Sequence, residues 1–204
     1  MIKTLIFDFG DVFINLNKAS TLIELKKLGV TSFTEKMLQF NIQYETGQIN
    51  TETFISSYLE LFPNQSGEQL SAAWNAIILD FPVYRLEFIE KLSKSKEYQL
   101  ILLSNTNDLH IEKVIENMGL ERYERFKKCF DAFYLSQEIH FRKPNADIYK
   151  FVMNTHHLIP NECLFIDDTK ENTDTAEELE IHIWNINPEN EDIIDLFSIQ
   201  KELF

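Results

Sequence analysis

Polar residues that could do chemistry stand directly after three short apolar runs. Asp8 follows "LIF" (5–7), Ser104 and Asn105 follow "QLILL" (99–103), and Asp167 and Asp168 follow "CLFI" (163–166). A fourth stretch, "RKP" (142–144), contributes Lys143. An acid at the end of a buried strand is costly unless its charge is compensated. Taken singly, each stretch has a plain reading as a turn, a solvated loop or a helix cap. Taken together they fit one reaction. A carboxylate such as Asp8 can attack phosphorus and form an aspartyl-phosphate. Attack of one anion on another requires neutralisation. Magnesium is held by one or two carboxylates plus phosphate oxygens, and Asp8, Asp167 and Asp168 would supply them. Lys143 adds a fixed positive charge, while the Ser104 hydroxyl and the Asn105 backbone N–H can donate to phosphate oxygens.

These residues need a scaffold that brings them together. Short apolar runs recur as "TLIF" (4–7), "QLILL" (99–103), "AFYL" (132–135), "CLFI" (163–166) and "IHIW" (181–184). The stretches between them, "LHIEKVIENMG" (109–119), "NADIYKFVMNTHH" (145–157) and "ENTDTAEELE" (171–180), read as helices. Such alternation predicts an α/β fold with a doubly wound parallel sheet covered on both faces. The carboxyl ends of parallel strands share one edge, where ligands bind. One interval breaks the rhythm. More than eighty residues separate the first two runs, and they read as helices at about 17–29, 32–45, 51–61, 66–78 and 83–95, punctuated by Gly29, Gly47, Pro63-Asn64 and Pro82. The last belongs with the core. The expected organisation is therefore a core of 1–15 and 83–204, interrupted by a helical cap at 16–82 lying over the sheet's carboxyl edge.

Composition narrows the partners. The chain has 204 residues, 44% of them hydrophobic, enough to bury a sizeable core. It carries 19 basic and 33 acidic residues, a net charge of −14 with no basic stripe, so nucleic acid and anionic membrane are poor partners. The two cysteines, Cys129 and Cys163, lie in unlike surroundings and suggest a reducing compartment without disulfides. "MIKTLIFDFG" is neither a signal peptide nor a membrane span, so a cytoplasmic protein is expected. The oligomeric state stays open.

The set "FDFGDV", "LLSNTN", "FRKPNADIY" and "FIDDTKEN" resembles the haloacid dehalogenase superfamily, in the family's order and over nearly the whole chain. "LSNTN" (103–107), "YLSQEI" (134–139) and "RKPNADIY" (142–149) look most like its bacterial sugar-phosphatase branch, which includes α-glucose-1-phosphate phosphatases. The resemblance implies Asp8 as nucleophile and magnesium ligand, Gly10 as a backbone-carbonyl ligand, and Ser104 as the phosphate-binding hydroxyl. It likewise implies Lys143 as the charge-balancing lysine, Asp167 and Asp168 as the acidic pair holding magnesium directly or through water, and Asn172 as a support for that loop. The expected activity is magnesium-dependent hydrolysis of a small phosphorylated metabolite such as a sugar 1-phosphate. Two rivals remain. A 2-haloacid dehalogenase would use the same Asp8 without metal, although the "DD" pair and the lack of a "DAYGTL" pattern disfavour it. The other is a binding protein on this scaffold.

Gly10 departs from the pattern, because many phosphatases of the family place an aspartate there as general acid/base. Asp11, one residue on, points to the opposite face in an extended chain; a sharp turn at Gly10 would bring it back, so its role as a displaced acid is open. The remaining candidates have plain readings. Tyr44 and Trp74 are expected in the cap's own core, "YETGQI" (44–49) as a turn between cap helices, and His156-His157 as a helix terminus, with His140 close enough to Lys143 to be near substrate.

Overall fold

The computed structural model describes residues 1–204. Five strands, β1 (Thr4–Phe7), β2 (Gln99–Ser104), β3 (Ala132–Leu135), β4 (Cys163–Asp167) and β5 (His182–Asn185), form one parallel sheet in the order β3-β2-β1-β4-β5. The helices are α1 (Ser20–Lys27), α2 (Glu35–Glu45), α3 (Thr51–Leu61), α4 (Gly67–Asn75), α5 (Val83–Ser95), α6 (Asp108–Met118), α7 (Leu120–Lys127), α8 (Ser136–Ile139), α9 (Ala146–His156), α10 (Lys170–Glu178) and α11 (Leu196–Ile199).

The inner strands are apolar throughout because both their faces are covered. Leu5, Phe7, Leu100, Leu102, Leu164 and Ile166 face one cluster. Ile6, Ile101, Leu103 and Phe165 point the other way, onto Ile148, Tyr149 and Val152 of α9. Phe7 lies in register with Leu102 and with Ile166. Asp8, Ser104 and Asp167 therefore end neighbouring strands at the same edge.

Between β1 and α5 the chain makes four helices, α1 to α4, with a third cluster of their own that includes Leu25, Met37, Tyr44, Phe54, Tyr58 and Trp74. Their starts are specified locally. Thr34 accepts from the Met37 N–H, Asn50 accepts from the Thr53 N–H, and Ser66 with Gln69 forms a reciprocal cap. The entering and leaving chains of this insert are joined: Asn15 and Asn17 N–H donate to the carbonyls of Asp80 and Ile77, and Leu79 N–H donates to Asn15. That pairing shortens the expected helix at 17–29 to Ser20–Lys27 and stops the expected helix at 66–78 at Asn75. Residues in an extended ladder cannot also close helical bonds.

Tyr44 and Trp74 both lie in the insert's cluster, and each also reaches α6. The Tyr44 hydroxyl accepts from Leu109 N–H at 3.1 Å, and Trp74 Nε1 lies 3.4 Å from Asn107 Oδ1. Cys129 and Cys163 are buried free thiols on different sides of the sheet, and burial pushes both to about 11. No helix is long and apolar enough to cross a membrane.

Candidate active site

The turn after β1 is held by its own apolar residues. Phe9, Val12 and Phe13 are buried, and Phe9 stacks on Phe126 with ring centroids 5.1 Å apart. Asp11 adopts a left-handed conformation (φ 53°) and its N–H donates to Ile14. The polar residues on either side of the turn are thus held by packing at the sheet edge.

Lys143 is almost fully buried, and its Nζ lies 2.7 Å from Asp8 Oδ1 and 2.6 Å from Asp167 Oδ2. Its backbone is clamped: Asn105 Nδ2 donates to the Lys143 carbonyl at 2.8 Å, and Lys143 N–H donates to Asn105 Oδ1 at 2.9 Å. Asp167 is oriented by Asn172, whose Nδ2 donates to both carboxylate oxygens at 3.1 and 3.0 Å, and by Thr169 N–H at 2.8 Å. Asp8, Asp167 and Asp168 each present an oxygen within 4.8 Å of the others. This is a set of hard oxygen donors with one more negative charge than the two that Lys143 touches, a composition that suits magnesium.

Burial pushes the Asp8 carboxyl up to about 7; Lys143 pulls it down and Asp167 pushes it further up. Burial alone would lower Lys143, but Asp167 and Asp8 outweigh it and hold the ammonium above its ordinary range. Burial also raises Asp168, against the pull of Lys18. Lys18, in the chain entering the insert, bonds Asp168 and lies 3.3 Å from Asp11 Oδ2.

A cavity of about 150 Å³ opens beside this cluster, with Gly10, Leu16, Glu45, Ser104, Asn105 and His110 on its wall. A side chain at position 10 would have to displace the end of the Leu16 side chain. A Cβ there would stand 2.7 Å from Leu16 Cδ1 and 3.8 Å from Asp8 Oδ2. Asp11 is turned to local bonds, its Oδ1 accepting from Leu16 N–H at 2.9 Å. His140 Nδ1 lies 2.8 Å from the Thr46 carbonyl and so ties the insert to the loop before Lys143. His156 ends α9 and meets the Tyr134 hydroxyl at 2.8 Å, while His157 adopts the left-handed C-cap conformation.

Residues 5–186 match the sequence profile described as haloacid dehalogenase-like hydrolase. The chain belongs to the haloacid dehalogenase-like hydrolase family. Among curated relatives of this hydrolase, the D-ribitol-5-phosphate phosphatase of Bacteroides thetaiotaomicron is 26% identical over 196 residues, covering 93% of each chain. A phosphorylated carbohydrates phosphatase of Thermotoga maritima is 24% identical over 60% of this chain and 53% of its own. Among solved structures, a family enzyme of Bacteroides thetaiotaomicron in complex with magnesium and inorganic phosphate superposes with a TM-score of 0.82 at 34% identity, covering 97% of this chain and all of that one. A predicted family hydrolase of Porphyromonas gingivalis gives 0.81 at 27% identity, over 100% and 98% of the two chains. The L-2-haloacid dehalogenase of Xanthobacter autotrophicus, at 14% identity and 0.54, shares the fold.

Several contributors at this hydrolase's site carry no sequence signal: Lys18, Glu45, His110, Leu16 and the Asn105 side chain. Each acts across a long separation or from a cap position. Only "YETGQI" hints at one of them, because a turn between two insert helices has to face something.

Proposed function

We propose that this hydrolase is a magnesium-dependent phosphatase of small phosphorylated carbohydrates that works through an aspartyl-phosphate on Asp8. The observation that carries the reading is the oxygen cluster of Asp8, Asp167 and Asp168 with Lys143 bridging the first two. The phosphatase names of the relatives support it. A dehalogenase would also use Asp8 but needs no metal, so the paired acids Asp167 and Asp168 beside Asp8 disfavour it.

In this reading Asp8, Asp167, Asp168 and the Gly10 carbonyl hold magnesium, which supplies positive charge to the phosphoryl group and to Asp8. Asn172 keeps Asp167 turned toward the site. Lys143, fixed by the Asn105 side chain, balances the charge that accumulates as Asp8 bonds phosphorus and the ester bond breaks. Ser104 and the Asn105 N–H donate to the phosphoryl oxygens. Water then attacks the acyl-phosphate and returns Asp8 as a carboxylate. The segment 16–82 acts as a cap that closes over the substrate and excludes water during transfer, while 1–15 and 83–204 form the core. The substrate is met in the reducing cytoplasm, where Cys129 and Cys163 stay thiols.

No acid stands at position 10, and general acid help is typically worth about 10²–10⁴-fold. Substrates whose leaving group needs little protonation, sugar 1-phosphates and aryl phosphates, are therefore turned over faster than matched primary alkyl phosphates. The test is purified protein with magnesium against a panel of phosphorylated carbohydrates, with chelator and Asp8→Asn as controls. Turnover lost in both, and beryllium fluoride binding to wild type alone, are expected. Full turnover in chelator, or in Asp8→Asn, overturns the reading.

A further inference from the structure

Glu45 is the one carboxylate that the insert places on the wall of the cavity holding Gly10 and Ser104. It ends α2, inside the stretch "YETG". Arg142 fixes it from behind, with Nε and Nη2 3.2 and 3.0 Å from the same oxygen, Oε2. Oε1 receives no hydrogen bond from the protein. The loop around it is seated on the core. Gly47 takes a positive φ, and a Cβ there would lie 2.1 Å from the Gln137 carbonyl oxygen; His140 binds the neighbouring Thr46 carbonyl. Glu45 is therefore not a waving surface side chain. It is a positioned acceptor with one oxygen unused, on the wall of the cavity that Ser104 and Asn105 also line. Burial pushes its carboxyl up, and Arg142 opposes that.

We propose that Glu45 determines specificity: its free oxygen accepts a hydrogen bond from a substrate hydroxyl, and its charge rejects substrates that carry a second anionic group. The preferred substrates are then monophosphates of uncharged polyhydroxy compounds. This rests on the phosphatase reading above. The physics is that of any carboxylate in a small, partly apolar cavity. A hydroxyl satisfies the unused oxygen, whereas a second carboxylate held near it meets a like charge with little water between them. Arg142 weakens this repulsion without abolishing it, because it bonds Oε2 alone and does not itself line the cavity. When the Glu45 charge is removed, Arg142 is left without its counter-ion, and the preference should shift toward anionic substrates.

A matched pair tests it. Glycerol 3-phosphate and 3-phosphoglycerate share a primary alkyl leaving group and differ in a hydroxymethyl against a carboxylate. Their kcat/KM ratio is measured with magnesium for wild type and for Glu45→Gln, which keeps the shape and can still bond Arg142; 4-nitrophenyl phosphate reports whether each preparation is an active phosphatase. Wild type should favour glycerol 3-phosphate by at least about tenfold, and Glu45→Gln should lower that ratio by at least about tenfold. Wild type that takes both equally overturns the proposal whether or not the variant folds. An unchanged ratio in an active variant overturns it too. Failure of wild type on all three compounds overturns the phosphatase reading and this one with it, whereas turnover of the aryl phosphate with no discrimination sinks Glu45 alone.

Discussion

Replacing Asp8 by asparagine should abolish turnover and make the metal-free protein more stable. Asp8 and Asp167 share the buried Lys143, and the Asp8 carboxyl is held at about 7 against an ordinary 3.8 chiefly by burial. Because the folded-state value is raised, the folded protein keeps a proton on Asp8 that the unfolded chain releases. The contribution is favourable in acid and is lost as pH rises from about 4 through about 7. At pH 8 in chelator, carrying the ionised group costs roughly 4 kcal/mol, and at pH 5 it costs roughly 2 kcal/mol. Asparagine has nearly the same shape and no charge, and it leaves Lys143 paired with Asp167. For a chain of this length about 4 kcal/mol corresponds to a rise in Tm of roughly 10 °C. Thermal or urea unfolding of wild type and Asp8→Asn in EDTA at pH 8 and pH 5 reads this directly. The variant should be the more stable protein, by more at pH 8 than at pH 5, and added magnesium should narrow the gap by stabilising wild type. A variant no more stable than wild type at pH 8, or a gap independent of pH, would refute the account in which burial makes the ionised Asp8 costly.

Asp11→Ala should leave the dependence of rate on leaving-group pKa as steep as in wild type, because Asp11 Oδ1 is occupied by Leu16 N–H; a series of aryl and alkyl phosphates checks this, and a flat wild-type series made steep by the variant would identify Asp11 as the missing acid. His110 gives a pH dependence of the opposite sign to Asp8. Burial lowers it to about 4, so the unfolded chain takes up protons first and stability falls between about pH 6.5 and 4. Urea unfolding at pH 7 and 4.5 should show wild type losing about 2 kcal/mol more than His110→Phe over that interval.

The fold was legible where the sequence repeats a simple physical rule. β1, β2 and β4 read as apolar runs because they are covered on both faces, and all five strands fall within a residue of the runs that announce them. The same holds for α3 and α5, whose boundaries follow from Asn50 and Pro82. α7 and α8 gave no such signal. α7 has eight residues, five of them charged, and turns only Tyr123 and Phe126 inward, and α8 has only four residues. Of the site, the strand-end residues were legible from chain order and residue type, whereas Lys143, in a loop between α8 and α9, was singled out by the resemblance. What stayed hidden depends on contacts between distant positions: Asn105 clamping the Lys143 backbone, Lys18 on Asp168, Arg142 on Glu45. The Leu16 side chain packed beside Gly10 is of the same kind, since it comes from six residues later.

The strand carrying Asp8 lies in the middle of the sheet, and this sets when the protein can first work as it folds. Thr4 pairs with Gln99 on one side and with Cys163 on the other. A chain emerging from the ribosome therefore carries "TLIF" with both edges open until β2 is available, and with one edge open until β4 is available. Open apolar edges invite association with other chains, and the insert helices made before β2 still lack Leu109 of α6, which completes their cluster. The last central pairing, β1 with β4, is also the one that sets Asp167 beside Asp8. No intermediate lacking β4 can hold the cluster, and the appearance of magnesium-dependent stabilisation during refolding would time the pairing of β1 with β4.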